Sequence, residues 1–221
     1  MLRVHEIFKS IQGESTDSGK PCIFIRLYGC NVKCSFCDQP QFPGQCQRMS
    51  LQNIITEIQK PQYRKVKNVC ITGGEPLIQE EVYSLIYTLV DKGYKVSIET
   101  NGCVPIDEDF HQRSYKYVMD VKCPSSGVSH KNILQNLKKL HHNDEVKFVV
   151  SDRADYEFAL QTLRRYPTRA KILFSPMFAK IEGQFKPVIG SQLCEWVSSD
   201  FDTNDHNVRI QIQLHKILGV L

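Results

Sequence analysis

Val69-Cys70-Ile71-Thr72-Gly73-Gly74-Glu75-Pro76, followed by residues 79–92, Gly93 and residues 95–99, is the stretch from which the fold can be read. Residues 69–72 form a short apolar run of strand length. In 79–92, Val82, Leu85, Ile86, Leu89 and Val90 recur at helical spacing, and Gly93 stops the helix. Residues 95–99 predict a second strand. Strand, helix, strand means two parallel strands joined by a helical crossover. The alternation extends in both directions. Residues 22–28 predict the preceding strand and 50–59 a helix capped by Ser50, with Leu51, Ile54, Ile55 and Ile58 on one face. Residues 117–122, 146–150 and 171–174 predict strands, with helices over 130–140 and 154–166. A short helix over 192–198 and a last strand over 208–214 complete the chain. Six strands from Cys22 to Phe174 are fewer than the eight of a closed barrel. We therefore expect an α/β fold, an incomplete (β/α) barrel of about six parallel strands, in a single domain over 1–221.

Composition sets the outer bounds. With 41% apolar and 24% charged residues, a packed core is feasible and global disorder is excluded. Lys and Arg number 28 against 24 Asp and Glu, so the net charge of +4 is too diffuse to argue for nucleic acid. No apolar run approaches the roughly 18 residues of a membrane span. The start, Met1-Leu2-Arg3-Val4-His5-Glu6, does not resemble a signal peptide, which implies a cytoplasmic protein. The anomaly is nine cysteines, three of them within eight residues. In such a compartment, clustered cysteines point to metal or catalysis rather than to disulfides.

The unusual residues fall just after the predicted strands: 29–37, 73–76, 101–102, 122–127, 151–152 and 175–176. The carboxyl ends of parallel strands share one edge, so these segments should surround one pocket. Cys30, Cys34 and Cys37 form a C-x3-C-x2-C array of soft ligands. Three thiolates on a short loop suit three corners of a four-iron cubane, leaving the fourth iron open. Spacing alone fits equally well a closed site completed by Cys46, either zinc or a fully ligated cluster. Thr72-Gly73-Gly74-Glu75-Pro76 by itself is read as a tight turn, or as a backbone approach to a ligand with a carboxylate to receive an ammonium group.

Taken together, the cysteine array with Phe36 and the Gly-Gly-Glu-Pro turn resemble the radical S-adenosylmethionine (SAM) superfamily. Gln12-Gly13-Glu14, Arg26 inside the second predicted strand, Glu99-Thr100-Asn101-Gly102, Asp144-Glu145-Val146-Lys147-Phe148 and Gln211-Ile212-Gln213-Leu214-His215-Lys216 narrow the resemblance. They are similar to the 7-carboxy-7-deazaguanine synthase family of the queuosine and 7-deazapurine pathway, over nearly the whole chain. The resemblance implies a [4Fe–4S] cluster on Cys30, Cys34 and Cys37, with SAM on the open iron. Reductive cleavage of SAM to a 5′-deoxyadenosyl radical would begin the ring contraction of 6-carboxy-5,6,7,8-tetrahydropterin, with loss of ammonia. It implies SAM contacts at Phe36, Cys37, Asp38, Gly74, Glu75, Lys122, Pro124, Ser125, Ser151 and Asp152. Substrate contacts fall at Gln12, Gly13, Glu14, Arg26, Thr72, His215 and the terminal carboxylate of Leu221. Glu14 suits the guanidine-like edge of the pterin, and the Arg26 fork its carboxylate. Where the family commonly carries a Thr that helps bind Mg²⁺, this chain has Gln39, a poorer ligand for a hard cation. A flavodoxin- or ferredoxin-type electron donor and a homodimer are also implied, with no nucleic acid and no membrane.

Overall fold

The computed structural model describes residues 1–37, 46–107, 115–202 and 207–220. Strands β1 (Leu2–Ile11), β2 (Pro21–Leu27) and β3 (Gln47–Met49) lead into helix α1 (Leu51–Ile58). Then come β4 (Asn68–Gly73), α2 (Val82–Asp91), β5 (Lys95–Thr100), β6 (Tyr115–Val121), β7 (Glu145–Val150), α3 (Arg153–Arg165) and β8 (Lys171–Pro176). The chain ends with β9 (Phe178–Ile181), β10 (Gln184–Pro187), α4 (Gly190–Asp200), β11 (Val208–Ile210) and α5 (Leu214–Leu218). The main sheet runs β11-β8-β7-β6-β5-β4-β2-β1-β3, and β9 and β10 form a separate hairpin. From β2 to β8 the expected six strands are parallel, and β11 adds a seventh. The order is open-ended, so the barrel is incomplete as expected. No helix among the described residues is long and apolar enough to cross a membrane.

Alternation of side chains divides the sheet into two faces. Ile23, Ile25, Leu27, Val69, Ile71, Val96, Ile98, Tyr117, Met119, Val146 and Phe148 face outward into one apolar cluster. They pack there with Ile54, Ile55 and Ile58 of α1, Leu85, Ile86 and Leu89 of α2, and Tyr156 and Ala159 of α3. The residues between them (Phe24, Arg26, Thr72, Glu99, Val118, Asp120, Lys147 and Val149) line a cavity. Burial of one face thus leaves the other free to carry charge.

Two expectations change. Residues 130–140 are not an α-helix but two 3-10 turns, Ser129–Lys131 and Leu134–Lys139. Here two asparagines compete with helical bonding. Asn132 exchanges bonds with the Lys122 backbone (3.0 and 2.8 Å), and Asn136 donates to Val104 O (2.8 Å) while accepting from Ile106 N (3.1 Å). The last strand ends at Ile210 rather than 214. Beyond it the chain turns onto the β1–β2 loop, where Leu214 N donates to Gly13 O (2.9 Å) and Ser15 N donates to Gln211 Oε1 (2.8 Å). The long antiparallel β1 is not predicted from sequence, because a register shift between Val4 and Glu6 breaks the apolar alternation.

Candidate active site

A cavity of about 830 Å³ opens on the inner face of the curved sheet. Cys30, Cys34 and Cys37 line it from the loop after β2. Gln12, Gly13 and Glu14 line it from the β1–β2 turn, at the amino end of β2, since Ile11 pairs with Pro21. His215 and Val220 close it from the C-terminal segment, and Phe178 and Phe185 from the hairpin. The polypeptide therefore brings residues from Phe8 to Val220, including some from every parallel strand from β2 to β7, to one space.

The cysteine loop is tied to its neighbours by hydrogen bonds to backbone carbonyls. Glu75 N donates to Gly29 O (2.9 Å), Ser35 N to Ser126 O (3.0 Å) and Ser35 Oγ to Ser125 O (2.6 Å). The Gly-Gly pair is what permits this approach. A Cβ on Gly73, whose φ is +136°, would lie 2.0 Å from Leu27 O, and one on Gly74 would lie 2.2 Å from Gly29 O and 2.7 Å from Cys30 Cβ. We expect Gly74→Ala to push the cysteine loop outward. Iron bound after anaerobic reconstitution should fall severalfold while the far-UV circular dichroism keeps its shape; unchanged iron would contradict this. Cys30 and Cys37 are exposed, Cys34 is half-buried, and none of the nine cysteines forms a disulfide. Burial pushes the Cys34 thiol up, against the pull of the nearby Lys122 cation and reinforced by Asp120.

Cys46 precedes β3 at the outer edge of the sheet and does not line the cavity. In a cubane each thiolate takes a different iron, and three cysteines lining one cavity suit that donor pattern.

Deeper in, a chain of charges crosses the cavity wall. Glu14 pairs with Lys147, Lys147 approaches Asp120 (3.3 Å), and Asp120 pairs with Lys122 (3.0 Å). Gln213 Nε2 donates to Glu14 Oε1 (2.6 Å). Burial alone would raise the Glu14 carboxyl, but Lys147, Gln213 and His215 together hold it below the usual carboxylate range. Burial would likewise depress Lys147, yet Glu14 and Asp120 hold it well above the usual lysine value. Gln12 Nε2 and Thr72 Oγ1 both donate to Glu99 (3.3 and 2.8 Å). Arg26 lies opposite Glu6 across β1 and β2, ion-paired at 2.8 Å, with its guanidinium over the Phe8 ring. Gly13 seats the His215 imidazole so closely that a Cβ would lie 2.1 Å from Nδ1.

Of the residues singled out from sequence, Gln12, Gly13, Glu14, Arg26, Cys30, Cys34, Phe36, Cys37, Thr72, Gly74, Lys122 and His215 line this cavity. Glu75 does not. It is fully buried, and its carboxylate accepts from Leu77 N (3.0 Å), Thr100 Oγ1 (2.9 Å) and Asn101 N (2.7 Å). It ties the β4 turn to the end of β5 rather than presenting an acceptor to a ligand. Pro124, Ser125, Ser151 and Asp152 also stand outside the lining. Asp152 caps α3, and the buried Asp155 accepts from Ser125 N and Ser151 N (both 2.9 Å), so these loops are held together from behind. Asp38, Gln39 and Leu221 lie outside the described residues. Lys147, Asp120, Glu99 and Gln213 also line the cavity, and sequence reasoning assigns them no role. For the first three, the inward position on the sheet face, readable from alternation once β5, β6 and β7 are placed, is the available signal.

The Radical SAM superfamily pattern matches residues 24–112. A 7-carboxy-7-deazaguanine synthase of Methanospirillum hungatei is 40% identical over 99% of this chain and 86% of its own length. One from Koribacter versatilis is 40% identical over 98% of this chain and 96% of its own. Among solved structures, QueE from Escherichia coli superposes with a TM-score of 0.71 at 23% identity, covering 97% of this chain and 94% of that one. Streptococcus suis SuiB bound to S-adenosylmethionine superposes with a TM-score of 0.63 at 14% identity, covering 84% and 48%. These last two likenesses concern the fold.

Proposed function

Since the chain belongs to the 7-carboxy-7-deazaguanine synthase family of radical SAM enzymes, we propose that its cavity converts 6-carboxy-5,6,7,8-tetrahydropterin to 7-carboxy-7-deazaguanine with loss of ammonia. The observation that carries this reading is one continuous cavity lined by Cys30, Cys34 and Cys37 as well as by Glu14 and Arg26. Cys30, Cys34 and Cys37 would hold the [4Fe–4S] cluster. When bound, the cluster and SAM supply a carbon radical able to remove a substrate hydrogen. The protein's part is to bind, orient and exclude water. Glu14, kept ionised by Lys147, can accept from the N–H groups of the pterin's guanidine-like edge, and Gln12 and Thr72 flank it through Glu99. Arg26, a fork stiffened by Glu6 and Phe8, suits the substrate carboxylate. Phe36, Gly74 and Lys122 remain as candidates on the SAM side. Pro124, Ser125, Ser151 and Asp152 would act there by shaping the loops rather than by lining the space.

The exposed Cys30 and Cys37 favour reduction by a docked flavodoxin- or ferredoxin-type donor. Nine cysteines with no disulfide among them favour a reducing compartment, the cytoplasm. Exposed Ile181, Val188, Ile212, Ile217 and Leu218 offer apolar surface for a homodimer. The deciding experiment is anaerobic incubation of reconstituted protein with SAM, dithionite and the carboxypterin, followed by mass spectrometry. The expected products are 7-carboxy-7-deazaguanine and ammonia, which together account for every atom of the substrate. Release of 5′-deoxyadenosine without any deazapurine would overturn the substrate assignment. Arg26→Lys should retain the products at a KM raised by about tenfold or more, as expected for losing a bidentate contact.

A further inference from the structure

We propose that Asn101 is a positioning residue that sets the reduction potential of the cluster through a hydrogen bond to the Cys30 sulfur. The inference rests on the cluster assignment above. Asn101 follows β5 directly and is almost fully buried. Its amide is oriented by its neighbours without ambiguity. Cys103 N donates to Oδ1 (2.9 Å), so the NH2 group must point the other way. There it meets Asn31 Oδ1 at 2.8 Å and Cys30 Sγ at 3.6 Å, one acceptor for each of its two hydrogens. Asn31 is itself anchored, donating to Cys103 O (3.1 Å). The main chain is pinned from beneath, because Asn101 N donates to the buried Glu75 carboxylate (2.7 Å), which Thr100 also engages.

A buried amide has many partners to choose from, and this one spends a hydrogen on a sulfur. A thiolate that ligates iron carries more negative charge when the cluster is reduced. A fixed N–H dipole aimed at that sulfur therefore stabilises the reduced form more than the oxidised one and raises the potential. This gives the buried Glu75 a role different from the ligand contact expected of it. It holds the backbone that aims Asn101, and so acts on Cys30 at one remove.

The test uses anaerobically reconstituted full-length protein. Asn101→Asp keeps the acceptor for Cys103 N and replaces the donor by oxygen; Asn101→Leu removes both at similar volume. Iron and sulfide content come first, and a wild-type protein that binds no cluster fails the parent assignment rather than this one. In loaded samples, redox titration followed by electron paramagnetic resonance should place both variants at a more negative midpoint, with Asn101→Asp the lower of the two. At one fixed applied potential the reduced-to-oxidised ratio should drop roughly tenfold, the order of losing one hydrogen bond to a charged acceptor. A merely structural role would lower iron content or thermal stability and leave the midpoint of loaded clusters in place, and that result overturns the proposal. Should neither variant fold, ¹⁵N-asparagine-labelled protein carrying Asn31→Asp, which keeps the acceptor for Asn101 and removes the labelled neighbour of Cys30, is decisive. Electron–nuclear double resonance on the reduced cluster is expected to show an asparagine nitrogen coupling, and its absence likewise overturns the proposal.

Discussion

Cys34→Ala is expected to lower the iron content of reconstituted protein by at least about tenfold and to abolish product formation, whereas Cys46→Ala leaves both at the wild-type level. Cys34 is the half-buried member of the trio, and its thiol is held protonated chiefly by burial. Metal binding must displace that proton, and the Lys122 cation beside it favours the thiolate that remains. Alanine removes the ligand from the wall of the cavity, where no other cavity-lining cysteine among the described residues stands in reserve beyond Cys30 and Cys37. Cys46 lies on the approach to the edge strand β3. The pair of variants separates an open cluster from a closed one, because a four-cysteine site would lose metal in both. Iron and sulfide analysis alongside 5′-deoxyadenosine release reads the difference, and equal losses in the two variants would refute the open site.

The parallel strands were legible because each carries a short apolar run, and burial on the helix-facing side leaves a strong pattern in the chain. Val69–Ile71 and Val146–Val150 are of this kind. What the alternation also carried, and what composition obscures, is the polar inner face. Glu99, Asp120 and Lys147 look like ordinary solvated charges in sequence, yet all three point into the cavity. Helix periodicity misled at 130–140, since Ile133, Leu134, Leu137 and Leu140 have helical spacing while Asn132 and Asn136 bind distant backbone. Such bonds cross from one segment to another and leave no local trace.

The candidate site was legible to a similar depth. Cys30, Cys34, Cys37, Glu14 and Arg26, the residues proposed to meet a ligand, all line the one cavity. Glu75 shows where motif reading stops. A carboxylate beside two glycines is an obvious acceptor, but Gly73 and Gly74 let β4 approach the cysteine loop so closely that Glu75 is carried under it, to bind Asn101 and Thr100. Asp155 acts similarly for the Ser125 and Ser151 loops. In both cases one buried carboxylate joins loops after different strands.

Lys147→Met is expected to destabilise the protein by about 3–5 kcal/mol at neutral pH, the usual cost of stranding one partner of a buried ion pair. It should also reverse the pH dependence of stability on the acid side. In the wild type Glu14 sits below its ordinary value of 4.5, so its pairing contributes fully above that pH and is lost as pH falls through the lowered value. Lys147 sits above its ordinary 10.5, so its contribution is full below that pH and is lost only as pH rises through the raised value. Between these limits the pair is intact. Without the cation, burial becomes the dominant influence on Glu14 and lifts its pKa above 4.5, so the native state then holds a proton that the unfolded state releases. Stability of the variant should therefore fall as pH rises from 4.5 towards 7, and the gap from wild type should widen over the same range. Urea unfolding at several pH values measures this directly, and a gap that stays constant with pH would show that Glu14 does not depend on Lys147 for its charge. Glu14→Gln in the Lys147→Met background should recover part of the loss, because it removes the stranded charge; Asp120 still has Lys122, so the remainder of the chain of charges survives. The same double variant should stay inactive even as it regains stability, since the acceptor for the pterin edge has gone with the carboxylate.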